Sequence, residues 1–135
     1  MPDRSRTGSL TRTYPTPHMS IYDTAREMAL NNGHEYHHAA LLWRRGKLIR
    51  IGINGWESSK FRRHFQAVPP IVYESHAETD ALLRARRGDT LEVLRWLKNG
   101  DLAMSRPCEN CQSKIRQSNL SSVRYTNMDG VWECL

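Results

Sequence analysis

The sequence has little cysteine, little phenylalanine and few lysines among its cations. It also lacks any apolar run near the roughly 18 residues that would cross a bilayer, and no hydrophobic signal-peptide core follows Met1. From these absences we expect a soluble, cytoplasmic protein with no membrane partner. The three cysteines are an odd number, which argues against a complete disulfide framework.

The chain is strongly basic, and most of its positive charge is carried by arginine. The net charge is +6 and the isoelectric point is about 9.6; of the 20 basic residues, 16 are arginine and four are lysine. Guanidinium groups bind phosphate in a bidentate manner and stack on bases, so a phosphorylated or nucleic-acid partner is one interpretation. The other is a solvated basic surface, and composition does not decide between them.

The length of 135 residues suits one domain around one core. Residues 1 to 18 are polar and contain three arginines, three prolines and one acid, a composition typical of a flexible basic arm. Such a start also resembles an organelle transit peptide, although it lacks a clear apolar face. We therefore expect a folded domain over residues 19 to 135.

The pattern of apolar residues, caps and turns predicts elements in the order α-β-β-α-β-α-β-β. Helices are predicted over residues 20 to 32, which a Ser20 cap begins, over 75 to 87 and over 105 to 119. Strands are predicted over residues 39 to 43, 48 to 53, 91 to 97, 122 to 126 and 131 to 135. This order predicts an α/β fold, a mixed five-stranded sheet flanked by helices. Only "NMDG" separates the last two strands, so the fifth should run antiparallel to the fourth.

Two short stretches place metal-binding side chains at predicted helix starts. His76 and Glu78 stand two residues apart behind a possible Ser75 cap, and Cys108 and Cys111 are spaced i, i+3. Both thiols can therefore project from one side of a helical turn, where the helix N-terminus lowers thiol pKa values. If the two helix starts converge, one imidazole and two thiolates can hold zinc with a fourth position open, as in catalytic sites.

The two stretches together match the zinc-deaminase signature, H-x-E followed by P-C-x-x-C. It stands here as "HAE" at 76 to 78 and "PCENC" at 107 to 111. Cys-x-x-Cys alone would also fit a redox pair or half of a zinc ribbon. Here, however, the H-x-E and P-C-x-x-C parts of the signature come in the right order, with a predicted strand between them. Over about residues 20 to 135, the sequence resembles the cytidine deaminase-like superfamily.

The resemblance implies roles for particular residues. It implies zinc bound by His76, Cys108 and Cys111, with Glu78 as the proton shuttle. The Ala77 backbone N–H would bind the substrate carbonyl. Asn54, in "GIN" at 52 to 54, is the candidate sugar contact; the alternative is a turn residue before Gly55.

The resemblance also implies an activity, the hydrolytic deamination of a nucleobase, cytosine in a nucleoside or nucleotide. The C-terminal hairpin is similar to the branch that contains free-cytidine deaminases, whereas "GING" resembles the deoxycytidylate group. A deaminase of single-stranded DNA or RNA is the alternative within enzymes. A structural zinc module closed by His64 or Cys134 is the non-enzyme alternative, and Glu78 argues against it. Relatives of this size often form dimers or tetramers, so a homo-oligomer is a further expectation.

The irregular stretch over residues 55 to 73 is rich in aromatic and basic side chains. Trp56 could stack on a base and Arg62 and Arg63 could hold phosphate, and with Pro107 they complete the predicted substrate-binding residues. Alternatively, the i, i+4 pair of Phe61 and Phe65 fits one helical turn packed in the core. The remaining expectations concern packing: Cys134 as a buried thiol, tryptophans 43, 96 and 132 as core residues, and histidines 34, 37 and 38 as surface or strand residues that bind no metal.

Overall fold

A computed structural model of the chain describes residues 20–56 and 74–135. The first helix, α1, spans Ile21–Leu30 and begins at Ser20, whose side chain accepts a hydrogen bond from the Asp23 backbone N–H. The predicted cap is therefore confirmed. The helix ends at Leu30, two residues earlier than predicted, and beyond it the Asn32 side chain donates to the Tyr36 carbonyl. The predicted flexible arm lies outside the described residues.

The predicted hairpin follows α1. Strand β1 spans His37–Arg44 and β2 spans Lys47–Ile53, and they pair antiparallel. The turn between them is Arg45 and Gly46, both with positive φ. After β2, the elements are β3 (Gly55–Trp56), β4 (Glu74–Ser75), α2 (Ala77–Leu82), β5 (Thr90–Trp96), β6 (Leu102–Ala103), α3 (Glu109–Gln117), β7 (Ser122–Thr126) and β8 (Trp132–Cys134).

The main sheet has the strand order β2-β1-β5-β7-β8, and β6 pairs with β5. Strand β5 runs antiparallel to β1 and parallel to β7, whereas β8 runs antiparallel to β7. The predicted α/β fold and its antiparallel last strand are therefore confirmed. The short strands β3, β4 and β6 were not predicted, and the family branch associated with the hairpin stays a prediction.

Alternate residues of the strands bury the two faces of the sheet. On one face, α2 and α3 pack over side chains that include Ala40, Leu42, Leu91, Val93 and Tyr125. On the other face, α1 packs through Ala25 and Ala29 over Ala39, Leu41, Leu94 and Trp96. The tryptophans at 43 and 132 pack against this second cluster, as predicted. The helices on the first face begin at the candidate site.

Cys134 is exposed, so its predicted burial was wrong. It ends a strand of three residues at the edge of the described sheet, where its neighbour Glu133 is exposed as well. Among the residues that the structure describes, no helix combines the length and hydrophobicity that a membrane crossing needs.

Helix α2 is shorter than predicted and has a different cap. His76, not Ser75, occupies the N-cap position, and its side chain makes no capping bond. Beyond Leu82 the N–H groups of Leu83, Arg84 and Ala85 donate to carbonyls three residues back, at 3.1–3.3 Å. Such bonds mark a tighter turn than the α-helix, so the helical pattern of the sequence continues past the helix itself.

Candidate metal centre and active site

The starts of α2 and α3 converge and bring together the three predicted metal ligands. His76 is the N-cap of α2, Cys108 is the N-cap of α3, and Cys111 lies in the first turn of α3. The Nδ1 atom of His76 is 3.3 Å from the Cys111 Sγ and 3.8 Å from the Cys108 Sγ. All three ligand atoms lie within 4.8 Å of one another, so this group could hold a metal ion.

The distances between these atoms fit zinc. With Zn–S bonds of about 2.3 Å and Zn–N bonds of about 2.0–2.1 Å, a nitrogen and a sulfur in a tetrahedron lie roughly 3.6 Å apart. The two observed nitrogen–sulfur distances, 3.3 and 3.8 Å, fall on either side of that value. One imidazole and two thiols are also ligands that zinc prefers, and they leave a fourth position open.

The local structure turns these side chains toward one another. The Sγ of Cys108 accepts from the Cys111 N–H at 3.5 Å, which fixes the first turn of α3. Pro107 is buried and directly precedes the N-cap of α3, which therefore begins later than the predicted residue 105. Without metal, burial and then the Glu78 charge raise the pKa of the Cys111 thiol to about 12. A bound cation reverses that balance and favours the thiolate.

Glu78 is a buried carboxyl beside the metal ligands. Only 5% of the residue is exposed, and it lies in the first turn of α2. Burial raises the pKa of Glu78, while its own backbone N–H and the charge of His76 lower it. A carboxyl whose pKa is raised toward neutrality can both accept and return a proton.

A cavity of about 310 Å³ opens at this centre. It is lined by Tyr36, His38, Asn54, His76, Ala77, Glu78, Arg95, Arg106 and Cys108. Of the predicted substrate contacts, Asn54 and Ala77 line the cavity, and Pro107 is not among its lining residues. Arg62 and Arg63 lie outside the described residues, and of Trp56 only the backbone is described. Arg95 and Arg106, the two arginines that line the cavity, were not among the residues predicted from the sequence.

Asn54 ties the end of β2 to the start of β1. Its Oδ1 accepts from the Asn32 side chain at 2.9 Å and from the His38 N–H at 2.8 Å. Its Nδ2 donates to the Tyr36 carbonyl at 3.0 Å. Both acceptor sites of the amide oxygen are thereby used, and one N–H of the amide is left for a ligand.

Histidines 37 and 38 lie outside the group of described residues that could hold a metal, and the prediction that they bind none stays a prediction. His37 is buried, and its Nδ1 lies 2.9 Å from the Ala29 carbonyl oxygen of α1. His38 lines the cavity, where burial and then the charge of Arg95 lower its pKa to about 4. The His38 ring is therefore neutral near pH 7.

Contacts between β2 and α2 position the start of α2. Arg50 donates from its Nε to the Asp80 carbonyl at 2.9 Å and pairs with the Asp80 carboxylate. The same carboxylate accepts from the Ile53 N–H at 3.2 Å. Gly52, between them on β2, lets the helix backbone approach closely. A glycine inside an alternating strand is the sequence signal that could have indicated this approach.

No protein-family profile matches the chain, and no curated protein sequence matches it. The similar solved structures include two of one dCMP deaminase. The dCMP deaminase from the cyanophage S-TIM5, in complex with dCMP and dUMP, is 19% identical, with a TM-score of 0.55 over 86% of this chain and 85% of that one. The apo form of that enzyme is 22% identical, with a TM-score of 0.50 over 82% and 86%. The chain therefore has the fold of dCMP deaminases, the cytidine deaminase-like fold.

Proposed function

We propose that this chain is a zinc-dependent hydrolase that releases ammonia from a nucleobase, cytosine in a nucleoside or nucleotide. One observation carries the proposal: two members of a His-Cys-Cys group that fits zinc, His76 and Cys108, line one cavity with the buried carboxyl of Glu78. The fold supports the substrate class, since the similar structure is a dCMP deaminase in complex with dCMP and dUMP.

His76, Cys108 and Cys111 would hold the zinc in this reaction. When bound, zinc acts as a Lewis acid that lowers the pKa of water. Glu78 takes a proton from the attacking water and delivers it to the departing amine. The water oxygen bonds to C4 of cytosine, its second proton ends on N3 of the base, the bond from C4 to the amine nitrogen breaks, and ammonia leaves.

Two further groups at the cavity can orient the base and the sugar. Ala77 is the first residue of α2, and the first N–H groups of a helix have no partner within it. Its N–H can therefore donate to the base carbonyl. Asn54 has one amide N–H left beyond its contacts to Asn32, Tyr36 and His38, and this group can donate to a sugar hydroxyl.

The competing structural role would require a fourth protein ligand. Within residues 20–56 and 74–135, the only group that could hold a metal is His76, Cys108 and Cys111, and it does not include Cys134. His64, the other candidate, lies outside the described residues. A buried acid beside three ligands is a costly feature that a closed structural site does not need. This cost favours the enzymatic role.

The test measures ammonia release by zinc-loaded protein from cytidine, deoxycytidine, CMP, dCMP, adenosine and single-stranded oligonucleotides. Glu78→Gln should keep zinc and the fold but lose activity about 10²–10⁴-fold, because the amide cannot carry the proton. The control is Glu27→Gln, which changes an exposed acid of α1 and should leave activity unchanged. Activity of Glu78→Gln within about twofold of wild type would contradict the assigned role.

A further inference from the structure

We propose that the end of the sheet opposite the metal centre is a docking surface for the phosphate backbone of a nucleic-acid duplex. Seven exposed cations meet there and form what we call the basic end: Arg45, Lys47, Arg84, Arg86, Arg87, Lys114 and Arg116. They come from the turn that leads into β2, from the loop between α2 and β5, and from the last turn of α3. The proposal concerns binding alone and does not depend on the proposed reaction.

Hydrogen bonds hold the three segments of the basic end together. The Arg44 side chain donates from its Nη2 to the Arg84 carbonyl at 3.1 Å, so the loop after α2 lies against the end of β1. The Gly88 N–H donates to the Asn119 carbonyl at 3.0 Å, which ties the same loop to the segment that follows α3. The backbone of the basic end is therefore one connected surface.

The basic end lies far from the metal centre. Strand β1 begins at the cavity, which His38 lines, and ends at Arg44 beside the turn. From His38 to Arg44 is six residues of extended strand, which at about 3.3 Å each separate the two by roughly 20 Å. Helices α2 and α3 begin at the metal ligands His76 and Cys108, and their other ends lie beside the basic end. A polymer bound here therefore leaves the cavity open.

The cations of the basic end form no ion pair with a carboxylate of the described residues. The pairs found there belong to arginines 26, 44, 50 and 124. The only acid in the three segments is Asp89, which is buried and already paired with Arg44. Outside the basic end and this pair, the described chain carries six cations and eleven acids. Positive charge is therefore concentrated at one end of the domain, where it attracts a polyanion.

Local structure does not explain these cations. Arg45 has a φ of 52° and Gly46 a φ of 78°, the backbone of a two-residue hairpin turn that favours asparagine at its first position. The arginine therefore serves something other than the turn. Lys114 and Arg116 lie in the last turn of α3, where cations stabilise the helix dipole. That effect accounts for two of the seven cations, since the other five lie outside the helices.

The side chains of the basic end favour the phosphate backbone of a duplex. Five of the seven cations are arginines, which pair with phosphate in a bidentate manner. The three segments contain no aromatic residue on which an unpaired base could stack, the usual anchor of single strands. Leu83 is their only exposed large apolar side chain, a small area for insertion into lipid. Contacts to phosphate alone predict binding that is independent of sequence.

Fluorescence anisotropy with a labelled DNA duplex tests the surface in the full chain. Binding should weaken as salt rises, because each phosphate contact contributes about −0.9 to the slope of log K against log salt. Arg86→Gln combined with Arg87→Gln should reduce the size of that slope by about 1.8 and weaken binding roughly 10- to 100-fold at about 0.1 M salt.

The matched control is Arg26→Gln combined with Lys98→Gln. It removes the same charge from outside the basic end, and screening limits the effect of distant charges, so binding should change less than about twofold. The comparison of the two double variants carries the test, because six further cations of the full chain lie outside the described residues.

Arg45→Asn separates binding from a structural role. Asparagine is the residue that the turn prefers, so stability in urea should equal or exceed that of the wild type. Binding of the duplex should nevertheless weaken roughly 5- to 10-fold at about 0.1 M salt, because one phosphate contact is lost. Lower stability with unchanged binding would instead assign Arg45 to the turn and remove it from the surface.

Four results would overturn the proposal. The first is wild-type protein that does not bind the duplex at low salt. The second is equal weakening by the two double variants, which would make binding a matter of overall charge. The third is tighter binding of single-stranded DNA than of the duplex. The fourth is tighter binding to phosphatidylserine vesicles than to the duplex, lost in Arg86→Gln with Arg87→Gln, which would assign the surface to a membrane.

Discussion

Gly52 on β2 and Ala77 at the start of α2 approach each other backbone to backbone. A Cβ added at Gly52 would lie 2.3 Å from the Ala77 carbonyl oxygen and 2.6 Å from the Ala81 nitrogen. Real Cβ atoms essentially never come closer than 3.0 Å to such neighbours, so only glycine allows this distance. Since α2 carries Glu78 and begins at His76, the packing of one strand residue sets the position of the candidate catalytic centre.

Gly52→Ala should therefore displace α2 from β2. We expect a loss of stability of about 1–3 kcal/mol, typical of overpacking, together with weaker zinc binding and lower deaminase activity. Urea unfolding and a zinc-binding titration measure the two effects. Gly55→Ala is the control, because no atom of the described residues lies within 4 Å of an added Cβ there and its φ is not positive. Equal stability of the two variants would contradict the close approach.

The metal assignment predicts which cysteines matter. Purified wild-type protein should contain about one equivalent of zinc, and Cys111→Ala should lose it after dialysis, because a ligand is gone. Cys134→Ala should retain the metal, since Cys134 is exposed and outside the ligand group. Elemental analysis of both variants decides the matter. Full zinc content in Cys111→Ala would place the metal elsewhere.

The ion pair between Arg50 and Asp80 should couple β2 to α2. Both side chains are about one-third exposed, at 32% and 30%, so solvent weakens the pair. In a double-mutant cycle with Arg50→Met and Asp80→Asn, we expect a coupling free energy of about 0.5–1.5 kcal/mol. Urea unfolding of the four proteins measures it. A coupling of zero would mean that the Ile53 N–H and the backbone contacts hold the helix without the charges.

The pair of Arg44 and Asp89 should make stability depend on pH. Asp89 is only 2% exposed and accepts from the Arg44 Nε and Nη2, both at 2.9 Å, and from the Arg86 N–H. The bonds from Arg44 hold the pKa of Asp89 below its ordinary value. Because the folded pKa is lowered, this stabilisation is fully present above the unfolded pKa of about 3.9 and is lost as pH falls through the folded pKa.

Asp89→Asn should consequently be less stable than wild type near neutral pH. We expect a difference of about 2–3 kcal/mol, below the range for fully buried pairs because Arg44 is 25% exposed. The difference should begin to shrink below about pH 4, where the unfolded-state carboxyl takes up a proton, and should be lost as pH falls through the lowered folded pKa of Asp89. Urea unfolding of both proteins from about pH 6 to pH 2 tests this. A difference that stays constant over that range would exclude Asp89 as the titrating group.

The parts of the fold that local patterns determine could be predicted from the sequence. Strand β1 follows a continuous apolar run, β2 and β7 follow alternating apolar residues, turns bound all three, and the Ser20 cap is a local signal. The cap of α2 could not be predicted, because whether Ser75 or His76 begins the helix depends on where β4 ends. The exposure of Cys134 could not be predicted either, because it depends on whether another part of the chain covers the edge of the sheet, and a local sequence pattern does not indicate this.

Contacts between distant residues were the larger omission. Glu92, buried in β5, accepts from the Tyr22 hydroxyl and the Trp43 Nε1, each at 2.8 Å, and pairs with Arg124. Glu92 and its three partners lie on four separate elements, so no spacing in the sequence connects them. For the same reason Arg95 could not be predicted as a cavity residue. The chain has 16 arginines, and only the folded structure shows which of them line the cavity.

The parallel pairing of β5 with β7 has a consequence for the maturation of the centre. Parallel strands need a long crossover, here residues 97 to 121, and this crossover contains α3 with Cys108 and Cys111. The thiols reach His76 only after the crossover has closed, and such distant pairings form more slowly than hairpins. Until then the cysteines are open to oxidation and to soft competitors such as copper(I), because thiolates bind these ions without needing the native geometry. If the chain binds zinc as proposed, its correct metallation depends on how quickly the sheet closes relative to the supply of competing ions.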